Sequence, residues 1–445
     1  MKKVLLLIII IASALSLCWS IYRDVQIEKL YTIDLRNRVV GARLQKDGKL
    51  PYFYKWNPAD GIRYYDPLNN HIEVTSITAS PFFHDLLYPI ADAPQRSLSY
   101  FWLILQYVLW ATIVCVALSL AGSFEQKVFV WAVAAALLLT GAWKAHIHSG
   151  QLYIFIPFLY AFFYLFLKKS KLAASALVAG LCAISLVLIR PNTIFLFLPF
   201  LLLANRFNWR YKIFFFIPVV LLLAFSVGNR HQRNLWTQYG QGISKQIKWH
   251  QEGNTNLNQN KKEPAFITSW EGWKMKDWDL AQVENKGKAI SFDFPDESAN
   301  FFIVGRIVGI KLSANSLLII SLSVISLLMF LFYFVHKKSG FHIYNVAIFG
   351  FCLYMVSDLF SPLLRHQYPA VQWLFPLLLI AVAFKKRYKM IYLFIIAGLI
   401  LMILPNFMTM QHSFGEYIIF ATLLLLAFVY NNPSQLKNEI DSYHH

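Results

Sequence analysis

MKKVLLLIIIIASALSLCWSI (residues 1–21) decides the class of fold. Lys2 and Lys3 precede an unbroken apolar run, which is how a secretory signal peptide begins. No small-x-small cleavage site follows, and Leu17 stands where a lipoprotein signal would need a small residue before Cys18. The expectation is an uncleaved transmembrane helix over residues 1–21, its start held in the cytoplasm by the two lysines. The chain after it then emerges on the outer side.

Beyond this helix the same pattern recurs. Hydrophobic residues make up 57% of the chain, charged residues 14%, and the mean hydropathy is +0.48, far from the balance of a soluble domain. Apolar runs of about 17–23 residues can each cross a bilayer as a helix. With shorter runs such as 193–205, about twelve spans are expected. The prediction is an all-α polytopic membrane protein in six parts. These are the first helix (1–21), an outer loop with an amphipathic helix (22–98), helices over 99–228, an outer polar loop (229–311), helices over 312–430, and a cytoplasmic tail (431–445).

A formal charge of +18 raises the question of a nucleic-acid partner. The basic residues sit instead in alternate short loops, at Lys127, 168–171, 206–212, 336–338 and 385–389, which is the positive-inside pattern. They report orientation, and no nucleic-acid partner is expected. The opposite short loops hold single cations, Lys144, Arg190 and Arg365, where that rule would have removed them. Cys18, Cys115, Cys182 and Cys352 are far apart within apolar runs, with neither CxxC nor histidine spacing, so no metal site is assigned. No inverted repeat and no run of acidic residues marks the spans, which argues modestly against ion-coupled transport.

The conspicuous polar groups all fall at the outer ends of spans: Asp34, TASPFFH (78–84), KAHIHSGQ (144–151), RPN (190–192) and SPLLRHQ (361–367). Asp34 lies near the start of YTIDLRNRVVGARLQKDGKLPYFY (31–54). There Leu35, Val39, Val40 and Ala42 share one side of a short helix, and Asp47-Gly48 ends it. Each group also has a plainer role. Asp34 can favour a helix N-terminus and pair with Arg38, His146 and His148 can be interfacial, and Arg190 can snorkel. Their shared side favours one anion-handling site beneath the outer surface. In the second loop, WEGWKMKDWD (270–279) mixes indoles with carboxylates. Trp270, Trp273 and Trp278 suit either sugar stacking or an interfacial tryptophan belt.

In order and in side, these motifs resemble those of glycosyltransferase family 87, a branch of the GT-C superfamily of integral-membrane enzymes. Asp34 with GARL (41–44) and DGKLPY (47–52) resembles its first-loop motif, and SPFFHDLLYPI (80–90) its aromatic-proline stretch. HSGQ (148–151) resembles its Gly-Gln element, IRPN (189–192) its Lys-Pro element, and SPLLRHQY (361–368) its Ser-Pro…His-His element. Tyr153 and Gln367 depart from that pattern, which has Asn and a second His there.

The resemblance implies a GT-C fold and a transferase in the inner (plasma) membrane, serving the cell envelope. It would move a hexose, mannose-like, from a polyprenyl-phosphate sugar to a glycan or glycolipid acceptor outside, among membrane lipids. Asp34 would be the general base. The donor phosphate would be bound by Arg190, His148, Gln151, Arg365 and His366, with Trp270, Trp273 and Trp278 as acceptor contacts. The donor sugar is a substrate, and no further cofactor is assigned. A transporter or flippase of lipid-linked saccharides would use the same basic pocket without needing a base, whereas an envelope scaffold would leave Asp34 on the exposed loop.

Overall fold

The computed structural model describes residues 2–25, 33–56, 58–60, 63–66, 77–168, 172–252, 300–383, 389–404 and 410–429. The described residues form helices joined by turns, without a strand. The fold is that of an all-α, multi-pass membrane protein.

Five helices are long and apolar enough to cross a bilayer: α1 (Lys2–Val25), α4 (Gln95–Leu120), α9 (Trp209–Val227), α12 (Ala314–His336) and α16 (Gln411–Val429). Their outward faces are rows of exposed apolar side chains, such as Leu5 and Ile8 on α1 and Val220 and Leu221 on α9. Lipid covers such surface at no hydrophobic cost. A bent pair, α5 (Phe124–Leu138) and α6 (Gly141–Ser149), makes a sixth span if read as one. The 60° bend follows from Thr140, whose hydroxyl accepts from the Trp143 backbone N–H at 3.2 Å and starts a new helix. Shorter apolar helices are α7 (Phe155–Lys168), α8 (Ala173–Ile189), α13 (Ile343–Leu359), α14 (Leu374–Val382) with the 3₁₀ turn before it, and α15 (Lys389–Ile403). A 17-residue helix rises about 26 Å, less than the ~30 Å hydrocarbon core.

The run expected to span at 193–205 is instead two 3₁₀ segments, Pro191–Leu196 and Leu198–Arg206. Pro191 and Pro199 interrupt α-helical pairing there. The first segment presses onto α13 at Gly350. A Cβ there would stand 2.2 Å from the Leu196 carbonyl oxygen, so only glycine permits the crossing.

Two small helices build the end of the molecule that carries Asp34. α2 (Ile33–Lys46) is enclosed all round, and not laid amphipathically on a membrane surface. Arg36, Asn37, Arg38, Arg43 and Gln45 are as buried as Leu35 and Val39, because each polar group finds a partner inside the protein. Arg43 Nε donates to the Ala91 carbonyl at 2.7 Å, for example. α2 packs on α3 (Pro81–Leu87) through Gly41, where a Cβ would meet the His84 ring at 2.5 Å.

The second polar segment opens with a 23-residue helix, α10 (Arg230–Glu252). Leu235 is buried, and Trp236 and Tyr239 pack on the first long loop and the end of α8. Arg230, Arg233, Thr237, Gln241 and Lys248 face out. At its far end Gln251 Nε2 donates to the Pro362 carbonyl at 3.5 Å, and α11 (Phe301–Ile307) is tied on through Arg306 Nη2 to the Gln251 carbonyl at 2.5 Å. α10 therefore roofs the ground between α3 and the 361–366 loop.

Candidate active site

Asp34 is placed by a helix stop 116 residues away. α6 ends at Gly150, in the left-handed conformation (φ 66°, ψ 47°) that glycine adopts without strain. That turn presents the Gly150 carbonyl to Arg38 Nη1 at 2.9 Å and the Gln151 amide to both Arg38 and Asp34. Gln151 Oε1 accepts from Arg38 Nη2 at 2.7 Å, and its Nε2 donates to one carboxylate oxygen of Asp34. Trp102 Nε1 donates to the Gln151 backbone carbonyl at 3.2 Å and fixes the segment. Arg38 does not pair directly with Asp34 one helical turn away; Gln151 stands between them. The second Asp34 oxygen has no hydrogen-bond partner among the described residues, and the side chain is half-buried.

Arg190 is exposed to the same region by local sequence. Pro191 disfavours helix at the residue before it, so α8 ends and Arg190 is extended (φ −145°, ψ 99°). Its Nε donates to Asn192 Oδ1 at 3.1 Å, its Nη2 pairs with Asp358, and its guanidinium lies 4.7 Å over the Tyr153 ring. Tyr153 is 5.5 Å from Tyr368, and Tyr368 stacks on His366 at 5.2 Å. Tyr368 is within electrostatic range of Asp34, Arg38 and Arg190, and Tyr239 of the roof is within range of Arg190 and Tyr153. Asp34 and Arg190 thus flank one aromatic floor.

Arg365 differs from its expected role. Its Nε pairs with Asp358 at 2.5 Å, and Nη1 and Nη2 pair with Glu416 at 2.7 and 2.6 Å. Every guanidinium nitrogen is engaged by a carboxylate, leaving this side chain to hold Asp358 and not to offer N–H groups to a phosphate. His148 lies elsewhere, on the side of Lys144, Arg23 and the buried Asp24. Asp24 accepts from Arg23 Nε at 2.8 Å, Tyr107 OH at 2.7 Å and Trp143 Nε1 at 3.0 Å. The structure therefore joins Asp34 with Gln151, and Arg190 with Arg365 through Asp358; His366 is linked to them only by its stacking on Tyr368, and His148 is set apart. Trp270, Trp273 and Trp278 lie outside the described residues.

The rival carboxylates Asp60, Asp66 and Asp85 of the loop that carries Asp34 are each held by other residues. Asp66 is buried against Asn37 Nδ2 at 3.0 Å and Arg36 at 3.4 Å, and Asp60 takes Lys49 at 3.0 Å and Tyr54 OH at 2.7 Å. Asp85 accepts from Gln45 Nε2 at 2.5 Å, and burial raises its pKa. Beside it, burial and the Arg38 charge push the His84 imidazole down to about 3.

Sequence reasoning singled out neither Asp358 nor Glu416. Their signal was lone carboxylates within apolar runs, which are costly in a membrane unless paired. Among the described residues, no three His, Cys, Asp or Glu side chains group as metal ligands.

Residues 78–281 match the model of Glycosyltransferase family 87. No curated protein and no solved structure matches the chain.

Proposed function

Because the chain belongs to glycosyltransferase family 87, we propose that this transferase moves a hexose, mannose-like, from a polyprenyl-phosphate donor to a lipid or glycan acceptor at the outer membrane face. The architecture is GT-C, with Asp34 as general base. One observation carries this assignment. Asp34 is anchored through one oxygen to a neutral amide while its other oxygen is unpartnered, on the same aromatic floor as Arg190.

The chemistry follows from that placement. The unpartnered Asp34 oxygen takes the proton of the acceptor hydroxyl as the hydroxyl oxygen attacks C1 of the sugar. The C1–O bond to phosphate breaks, and its electron pair leaves with polyprenyl phosphate. A positioned base contributes about 10²–10⁴-fold. The leaving phosphate gains one negative charge, which Arg190 meets, with His366 and Gln151 as its proposed further donors. Tyr153 and Tyr368 offer ring faces to the sugar. Gln151 keeps Arg38 from neutralising the base. Trp270, Trp273 and Trp278 remain proposed acceptor contacts.

The deciding experiment gives purified protein in proteoliposomes a panel of polyprenyl-phosphate hexoses and pentoses, with nucleotide sugars as controls. Transfer from one lipid-linked sugar, and none from nucleotide sugars, is expected. Movement of lipid-linked sugar across the bilayer without transfer would instead mark a flippase.

A further inference from the structure

Arg190, Asp358, Arg365 and Glu416 form an unbroken ionic chain through the protein. Asp358 gives one oxygen to Arg190 and the other to Arg365. Arg365 then clasps Glu416 with both terminal nitrogens. Each carboxylate takes one further donor: Trp373 Nε1 donates to Glu416 at 2.7 Å and Gln372 Nε2 to Asp358 at 3.3 Å. Gln372 is itself held by Tyr354 OH at 2.5 Å. The side chains of Asp358, Arg365 and Glu416 are only 1–3% exposed, whereas that of Arg190 is 23% exposed. The chain is neutral, two cations and two anions, and only its Arg190 end opens on the site. It also joins four segments: the end of α8, α13, the 360–367 loop and α16.

We propose that Asp358, Arg365 and Glu416 are positioning residues that ration the positive charge Arg190 offers to the leaving phosphate. This rests on the assignment of Arg190 to that phosphate. The donor is a phosphodiester with one negative charge, and the product is a phosphomonoester with more. An Arg190 without a counter-ion would bind the product most tightly and release it slowly. Asp358, fixed from behind by Arg365, competes with the phosphate for the same guanidinium. Glu416 occupies the other face of Arg365 and so sets how far Asp358 is drawn away from Arg190. Residues that never touch substrate would thereby set product release.

The test measures inhibition of transfer by a short-chain polyprenyl phosphate, donor KM and kcat, and thermal midpoint, using full-length protein in proteoliposomes. Asp358→Asn should tighten product inhibition by about tenfold and lower donor KM, with kcat falling as release becomes limiting. Glu416→Gln leaves Arg365 to Asp358 alone and should shift inhibition in the same direction by about threefold. A purely structural role would lower the thermal midpoint and leave the inhibition constant alone. An unchanged or weakened product affinity in both variants overturns the relay. Should either variant fail to assemble, Arg365→Lys tests the relay in the opposite direction. It keeps the charge but loses the fork that draws Asp358 back, so Asp358 is left to Arg190 and inhibition must weaken. Arg190→Gln separates this inference from its premise. If it leaves polyprenyl-phosphate affinity untouched, the phosphate assignment itself falls. If it weakens that affinity while the relay variants change nothing, only the relay falls.

Discussion

Replacing Asp34 by asparagine changes one atom type and removes the proton acceptor. The carbonyl of the new side chain can still accept from Gln151 Nε2, so the bond that places it survives. Its amide N–H₂ takes the position of the partnerless oxygen, where the side chain is half-buried and water can reach it. The folding cost should stay below about 1 kcal/mol. Loss of a general base should cost roughly 10²–10⁴ in kcat, about 3–5 kcal/mol on the barrier. Donor KM should stay within about threefold, since Arg190 is untouched. Initial rates at saturating donor in proteoliposomes, beside a fluorescence melt, measure both effects. Normal transfer by Asp34→Asn together with inactive Asp85→Asn would move the base to Asp85. The structure argues against that outcome. Asp85 is bonded to Gln45, eleven residues along α2 from Asp34 and so about 16 Å away along the helix axis. Normal transfer in all of the Asp34, Asp60, Asp66 and Asp85 variants would end the carboxylate-base mechanism.

Gln151→Leu removes the spacer between Arg38 and Asp34, so the two should pair directly and transfer should fall about 10–100-fold. Adding Arg38→Met should recover part of the rate, and no recovery would refute the spacer role. His84 is neutral when folded, with its pKa near 3, against about 6.5 unfolded. Below pH 6.5 the unfolded chain takes up the extra proton, so stability present at neutral pH is lost as pH falls, by up to about 1.4 kcal/mol per unit. The melting midpoint should therefore drop between pH 7.5 and 5.0, and less so in His84→Gln; equal drops would assign the effect elsewhere. In a chain without its native cysteines, Gly240→Cys meets no neighbour within 4 Å and should label with an impermeant maleimide on intact cells, while Lys127→Cys should not. Labelling at both sites would overturn the proposed orientation.

Local chemistry made part of this protein legible in its sequence. Apolar run length marked it as a polytopic membrane protein, because a backbone in lipid must satisfy its hydrogen bonds within helices. Arg190 before Pro191, and Gln151 after Gly150, could be picked out because proline and glycine act on the residues beside them. Proline also decided against the sequence expectation at 193–205, where Pro191 and Pro199 turn a supposed span into 3₁₀ segments. The α10 helix was written in Leu235, Tyr239, Ile243 and Ile247, four residues apart, but its polar composition concealed that period.

What remained invisible were pairings across long separations. Gln151 reaches Asp34 over 117 residues, Arg190 reaches Asp358 over 168, and Arg365 reaches Glu416 over 51. Periodicity reports neighbours three or four residues apart, and it suggested Arg38 as the partner of Asp34. The burial of α2 on every side, and the engagement of Arg365 by two carboxylates, arise only when distant helices close around those charges. A cation in a sequence carries no mark of which anion will neutralise it; tertiary packing supplies that anion, and with it decides whether the cation is left for substrate.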